Sequence, residues 1–155
     1  MMVWHLTYDE MQEWMRYALR LAQQALPHDV PVAAVLLDAQ GTLVAEGVNT
    51  REKDHNPLGH AELNAMLALA QTLGDWRLNE FTLIVTLEPC AMCANALKQA
   101  RIGQVIFGAY DPTEGESPSK ILHRQGEGLQ VIGGILEEEA KASLQAYFKS
   151  KRSTL

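Results

Sequence analysis

Two rhythms of apolar and polar positions run along this chain. Met11, Trp14, Met15, Ala18, Leu21, Ala22 and Ala25 recur at the spacing of one helix face. The preceding TYDE carries a capping-box pattern, with Thr7 as N-cap and Glu10 at the third helical position, so a helix is predicted from here to Pro27. PVAAVLL and TLVAEGV then read as two strands, and the turn residues of DAQG join them into a hairpin. A polar loop, NTREKDHNPLG, leads to HAELNAMLALAQTL, a helix apolar on most faces and expected to be well buried. The β-rich FTLIVTL runs straight into EPCAMC and a helix, ANALKQA. QVIFGAY is a further strand, followed by the loop DPTEGESP, a short helix, a short strand LQVIG and a helix from about Glu137 to Lys149.

This alternation predicts one domain over residues 1–155, a sheet with helices packed on both faces. Five strands are expected, the first pair antiparallel and the rest mostly parallel, because helical crossovers link parallel strands. Ligands of such sheets bind beyond the carboxyl ends of the strands, where both EPCAMC and the DPTEG loop fall. A basic tail from about residue 149 is expected to be mobile.

Composition changes the picture little. Hydrophobic residues make up 47% and charged residues 21% of the 155, the balance of an ordinary soluble protein. No apolar run approaches the roughly 20 residues of a membrane helix, and MMVWHLTYDE lacks the order of a signal peptide. The expectation is a cytoplasmic protein with reduced thiols and no membrane partner, where C-x-x-C is catalytic or metal-binding rather than a structural disulfide. The net charge of −6 argues against general binding along a nucleic-acid backbone. It leaves room for local contacts, and Lys149, Lys151 and Arg152 stand beside Tyr147 and Phe148.

The candidate chemistry lies at Cys90 and Cys93, the two cysteines of the chain. A redox pair at a helix start would use them alone and leave HAE unexplained. A four-cysteine zinc site is impossible. A catalytic zinc site takes three protein ligands, and His60, opening a helix as Cys90 does, completes the set. Glu62 is then the general acid and base beside the metal. His55 is a second imidazole in reach by sequence, and reads as a loop or pocket-wall residue. H-A-E followed about thirty residues later by P-C-x-x-C is the signature of the zinc deaminases.

DVPVAAVL, HAE and TLEPCAMCANALKQARIGQVIFGAYD together resemble the bacterial tRNA adenosine deaminases, and the likeness covers nearly the whole chain. The resemblance implies a three-layer α/β/α sandwich with a five-stranded mixed sheet, one Zn2+ per subunit, and a homodimer. It implies conversion of the wobble adenosine of a tRNA anticodon loop to inosine. His60, Cys90 and Cys93 would hold zinc and Glu62 would carry protons. Asn49 would contact the base, Asp111 would lie next to the nucleotide strand, and Tyr147 and Phe148 would hold the loop. The chain departs from the family pattern at Tyr110 and in EGESPSK, where Glu114 and Glu116 would repel phosphate if they face it. The competing readings are a deaminase of a small nucleobase, nucleoside or nucleotide (guanine, cytosine or deoxycytidylate) and a catalytically silent, zinc-stabilised subunit. Glu62 argues against the silent subunit.

Overall fold

The computed structural model describes residues 6–111, 120–123 and 129–153. Glu114, Glu116 and most of the loop after Asp111 lie outside them.

The chain opens with α1 (Tyr8–Ala22), whose capping box forms as the sequence predicts: Thr7 Oγ1 accepts the Glu10 N–H and Glu10 Oε1 accepts the Thr7 N–H. A single 3-10 turn, Gln23–Ala25, ends this segment before a cis Leu26–Pro27 bond. There follow β1 (Ala33–Leu37), β2 (Leu43–Val48), α2 (Ala61–Leu73), β3 (Thr82–Leu87), α3 (Ala91–Gln99), β4 (Gln104–Ala109), α4 (Lys120–His123), β5 (Gln130–Ile132) and α5 (Glu137–Ser153).

The five strands form one mixed sheet in the order β2-β1-β3-β4-β5. β1 pairs antiparallel with both β2 and β3, whereas β3–β4 and β4–β5 are parallel. The expectation of an antiparallel first pair and mostly parallel pairing after it holds, since two of the three remaining pairs are parallel and β1–β3 is the exception. The crossover through α2 does make β2 and β3 parallel, but β1 lies between them.

Alternate residues of β1 supply the two cores. Ala34 and Leu36 pack with Ala65, Met66 and Leu69 of α2 and with Ala94 and Leu97 of α3. Ala33, Val35 and Leu37 pack with Met15, Leu21 and Ala22 of α1. A strand buried on both sides has no polar face to show, which is why all five residues of β1 are apolar. The layers are thus α1 and α5 against one face, where Ala140 of α5 abuts Gly108 of β4, and α2 and α3 against the other.

Two expectations change. α2 is not buried on most faces: Ala61, Glu62, Ala65, Met66 and Leu69 are buried, but Leu67 is 59% exposed. The helix lies on the sheet along one side, and its other side, with Leu67, is exposed among the described residues. The basic residues from 149 are not a separate tail, since α5 continues through Lys149, Lys151 and Arg152 to Ser153. Cations there suit the helix C-terminus. No described helix is long and apolar enough to cross a membrane.

The approach of α2 to the sheet is set by Gly47 of β2. A Cβ at Gly47 would stand 2.7 Å from both the Ala61 carbonyl oxygen and the Ala65 nitrogen, backbone atoms that cannot swing aside. Gly47→Ala is expected to cost about 1–3 kcal/mol by overpacking, read as a lower urea midpoint at unchanged m-value. A midpoint equal to that of the parent would contradict this packing.

Candidate active site and metal centre

β3 ends at Leu87, and three residues later Cys90 caps α3; the loop after β2 ends at His60, which caps α2. Both cap residues have extended backbone, His60 at φ −81°, ψ 150° and Cys90 at φ −68°, ψ 173°. Neither side chain turns back to cap its own helix. Instead they face each other: His60 Nδ1 lies 3.5 Å from Cys90 Sγ and 3.4 Å from Cys93 Sγ. The three donor atoms all fall within 4.8 Å of one another.

The extended cap also resolves how His60 and Glu62, two positions apart, serve one site. Positions i and i+2 within a helix point to different sides. Because His60 precedes the first helical turn, its side chain leaves in a direction the helix does not set. The buried carboxylate of Glu62 then lies beside the ligand trio, close enough to feel the charge of Cys90 and His60.

The electrostatics suit a cation. Two helix N-termini converge here, and their dipoles favour thiolates. Hydrogen bonding from the Cys93 thiol, with a smaller contribution from His60, lowers Cys90 to about 4. Cys93, the donor of that pair, is pushed up, chiefly by the same bond and then by burial. Its hydrogen bond with Cys90 raises His60. Burial lifts Glu62 to about 7, and the nearby Cys90 adds to the rise. A divalent cation at the trio opposes that rise by favouring the carboxylate.

The donor set fits zinc. Bonds of about 2.3 Å to sulfur and 2.0–2.1 Å to nitrogen, at a tetrahedral angle, place nitrogen and sulfur about 3.5 Å apart, as His60 and the two cysteines stand. Three protein ligands leave a fourth position open, the hallmark of a catalytic rather than a structural site. Residues 8–109, well over half of the chain, match the zinc-binding region of cytidine and deoxycytidylate deaminases.

The chain belongs to this zinc-dependent deaminase family. It is a hydrolytic deaminase with zinc as cofactor, and His60, Cys90 and Cys93 are placed to hold the ion. It is 38% identical over 152 residues to a tRNA-specific adenosine deaminase of Bacillus subtilis, covering 95% of this chain and 92% of the relative. A structure solved in work on A-to-I editing by tRNA:A34 deaminases, at the wobble position of transfer RNA, matches with a TM-score of 0.77 and 31% identity. It covers 85% of this chain and 99% of the other. A guanine deaminase from Nitrosomonas europaea matches with a TM-score of 0.78 and 25% identity, over 88% of this chain and 83% of the other.

The deaminase cleft has a volume of about 760 Å3, within the roughly 300–1,000 Å3 usual for ligand sites. Its floor is His60, Glu62 and Cys90; one wall is Asn49 and Arg51, another is Glu88 and Asp111, and a third is the α5 side of Glu137, Lys141, Leu144 and Phe148. Asn49 is a turn residue and a wall residue at once. Its Oδ1 accepts the Arg51 N–H at 3.1 Å and its Nδ2 donates to the Val30 carbonyl at 3.2 Å, which leaves one amide hydrogen for the cleft. Phe148 faces the cleft, 46% exposed. Tyr147 is not among the cleft-lining residues; it stacks edge-on with Phe148 and lies under Lys151. Successive residues on a helix point about 100° apart, so both cannot line one wall. His55, at φ 50° in the loop, is outside the ligand trio.

Three residues that the sequence did not single out build these walls. The buried carboxylate of Asp29 accepts the N–H groups of Glu52 and Lys53. Asn64 of α2 donates to the Val48 carbonyl at 2.8 Å and to Thr50 Oγ1 at 3.0 Å, tying the loop to the helix that carries Glu62. Buried Glu88 accepts the Asp111 N–H at 2.9 Å while its own N–H donates to the Ala109 carbonyl, which holds the exit of β4 beside the metal ligands. A charged residue between an apolar strand and a ligand cysteine was the visible signal for Glu88.

Purified deaminase is expected to carry about one zinc ion per chain. Cys90→Ser or His60→Ala is expected to reduce this at least tenfold, as measured by elemental analysis after dialysis against a weak chelator. Full zinc occupancy in both variants would contradict the ligand assignment.

Proposed function

We propose that this deaminase converts the wobble adenosine of a tRNA anticodon loop to inosine. The observation that carries the reading is an acid/base carboxylate, Glu62, buried beside the ligand trio at the floor of a cleft whose α5 wall presents an exposed aromatic ring, Phe148. The relatives that act on tRNA adenosine match the chain over nearly its full length.

Zinc at His60, Cys90 and Cys93 supplies the Lewis acidity that makes water a nucleophile near neutral pH. Glu62 accepts a proton from the attacking water and delivers it to the ring nitrogen next to the carbon under attack. It then passes the second proton to the departing amine, which leaves as ammonia. Asn49 offers its remaining amide hydrogen to an acceptor on the base and fixes its orientation. Asp111 sits at the strand exit against the nucleotide, and Phe148 gives a neighbouring unstacked base a surface to stack on. The base must be splayed from its loop to reach the floor. Tyr147, one position round the helix, serves the tail contact from the side with Lys151.

Two copies are expected to associate. Leu63 and Leu67 lie one turn apart on α2, and Leu67 is exposed on the side of α2 away from the sheet. Free Cys90 and Cys93 suit a reducing, cytoplasmic setting. The likeness to a guanine deaminase supports a second reading, a small-base deaminase built on the same floor.

Zinc-loaded protein incubated with an anticodon stem-loop carrying a wobble adenosine is expected to yield inosine, and to release no ammonia from guanine or cytosine. Glu62→Ala is expected to keep its zinc and fold while losing turnover by 10²–10⁴-fold. Ammonia from guanine alone would replace the first reading with the second. Turnover within tenfold of wild type in zinc-loaded Glu62→Ala would remove the carboxylate from the mechanism.

A further inference from the structure

Arg51 lines the cleft but has no part in the metal site or the proton path. Its backbone is fixed on both sides. The N–H donates to Asn49 Oδ1 at 3.1 Å, and the carbonyl accepts the Asn56 N–H at 3.0 Å. The next two residues are tied down by Asp29. The side chain, by contrast, is exposed, and among the described residues its guanidinium makes no ion pair.

The other cleft cation is already engaged. Lys141 lies 3.3 Å from Glu137 and 3.9 Å from Glu138. The remaining charged groups of the cleft besides the ligand trio, Glu62, Glu88, Asp111 and Glu137, are acids. Among the described cleft walls, Arg51 is therefore the most favourable position for an anion. A guanidinium on a fixed stalk matches a phosphate with two parallel hydrogen bonds. A free base carries no anionic group for it to hold. A nucleotide with its base at Glu62 carries a phosphate on its sugar, clear of the base and within the reach of a wall residue.

We infer that Arg51 is the phosphate anchor of the cleft, and that it makes the enzyme prefer nucleosides joined to phosphate over free bases and nucleosides. The phosphate is a diester in RNA and a monoester in a mononucleotide. The RNA form rests on the proposed function, whereas the monoester form does not.

The test compares wild type, Arg51→Gln and Arg51→Lys, all zinc-loaded, in two measurements. The first is binding of a labelled anticodon stem-loop carrying wobble inosine, which is not consumed, across a salt series. Arg51→Gln is expected to weaken binding about tenfold at low salt and to flatten the slope of log Kd against log salt by about 1. Arg51→Lys is expected to recover the slope and part of the affinity. The second is the ratio of kcat/KM for adenosine monophosphate to that for adenosine, which is expected to fall about tenfold in Arg51→Gln. If wild type acts on the mononucleotide and not on the stem-loop, the RNA reading fails, and a fall in that ratio sustains the anchor. Unchanged affinity and slope in Arg51→Gln, together with an unchanged ratio, would overturn it. So would an equal loss on phosphate-free and phosphate-bearing substrates, or a wild type that handles only phosphate-free substrates.

Discussion

Two helices begin at the same point in space, and the site depends on that convergence. α2 and α3 each start with an extended residue whose side chain declines to cap its own helix, His60 in one and Cys90 in the other. The groups that would have satisfied those helix ends meet each other instead, with Cys93 one turn into α3. Orphan N–H dipoles aimed at one place favour negative charge on sulfur. Thiolate charge and a neutral imidazole nitrogen are what a zinc ion needs. The acid/base residue follows from the same start, since Glu62 is the second residue of α2 and is buried against the trio.

The sheet makes the convergence possible. The carboxyl ends of β2, β3 and β4 and the entry of β1 all lie at one edge, because β1 runs antiparallel between its neighbours. Gly47 lets α2 press onto β2. The long connection from Asn49 to Gly59 is then held by Asp29, Asn49 and Asn64 rather than by regular structure. Those bonds explain how a polar loop can present Asn49 and Arg51 at fixed positions on a cleft wall.

The sequence disclosed some of this and hid the rest, for identifiable reasons. The capping box, the hairpin and the ligand spacing are local patterns, and local patterns survive without knowledge of the fold. Strand order does not: nothing in PVAAVLL states that it pairs on both edges, although its unbroken apolar run fits a strand buried on both faces. The exposed face of α2 is not legible in the sequence because a helix apolar on most faces looks alike whether its own chain or something else covers it. Glu88 and Asp29 stayed hidden because their carboxylates bind backbone N–H groups, which have no residue identity to read. The separation of Tyr147 from Phe148 follows from their adjacent positions on α5, a helix the sequence predicts through both, but which of the two meets the cleft depends on how α5 packs.

X-ray absorption at the zinc edge of the purified protein tests the convergence of the two helices most directly. The account predicts two sulfur neighbours at about 2.3 Å, with the remaining neighbours nitrogen or oxygen near 2.0–2.1 Å. A first shell without sulfur, or one with four sulfur atoms, would contradict it.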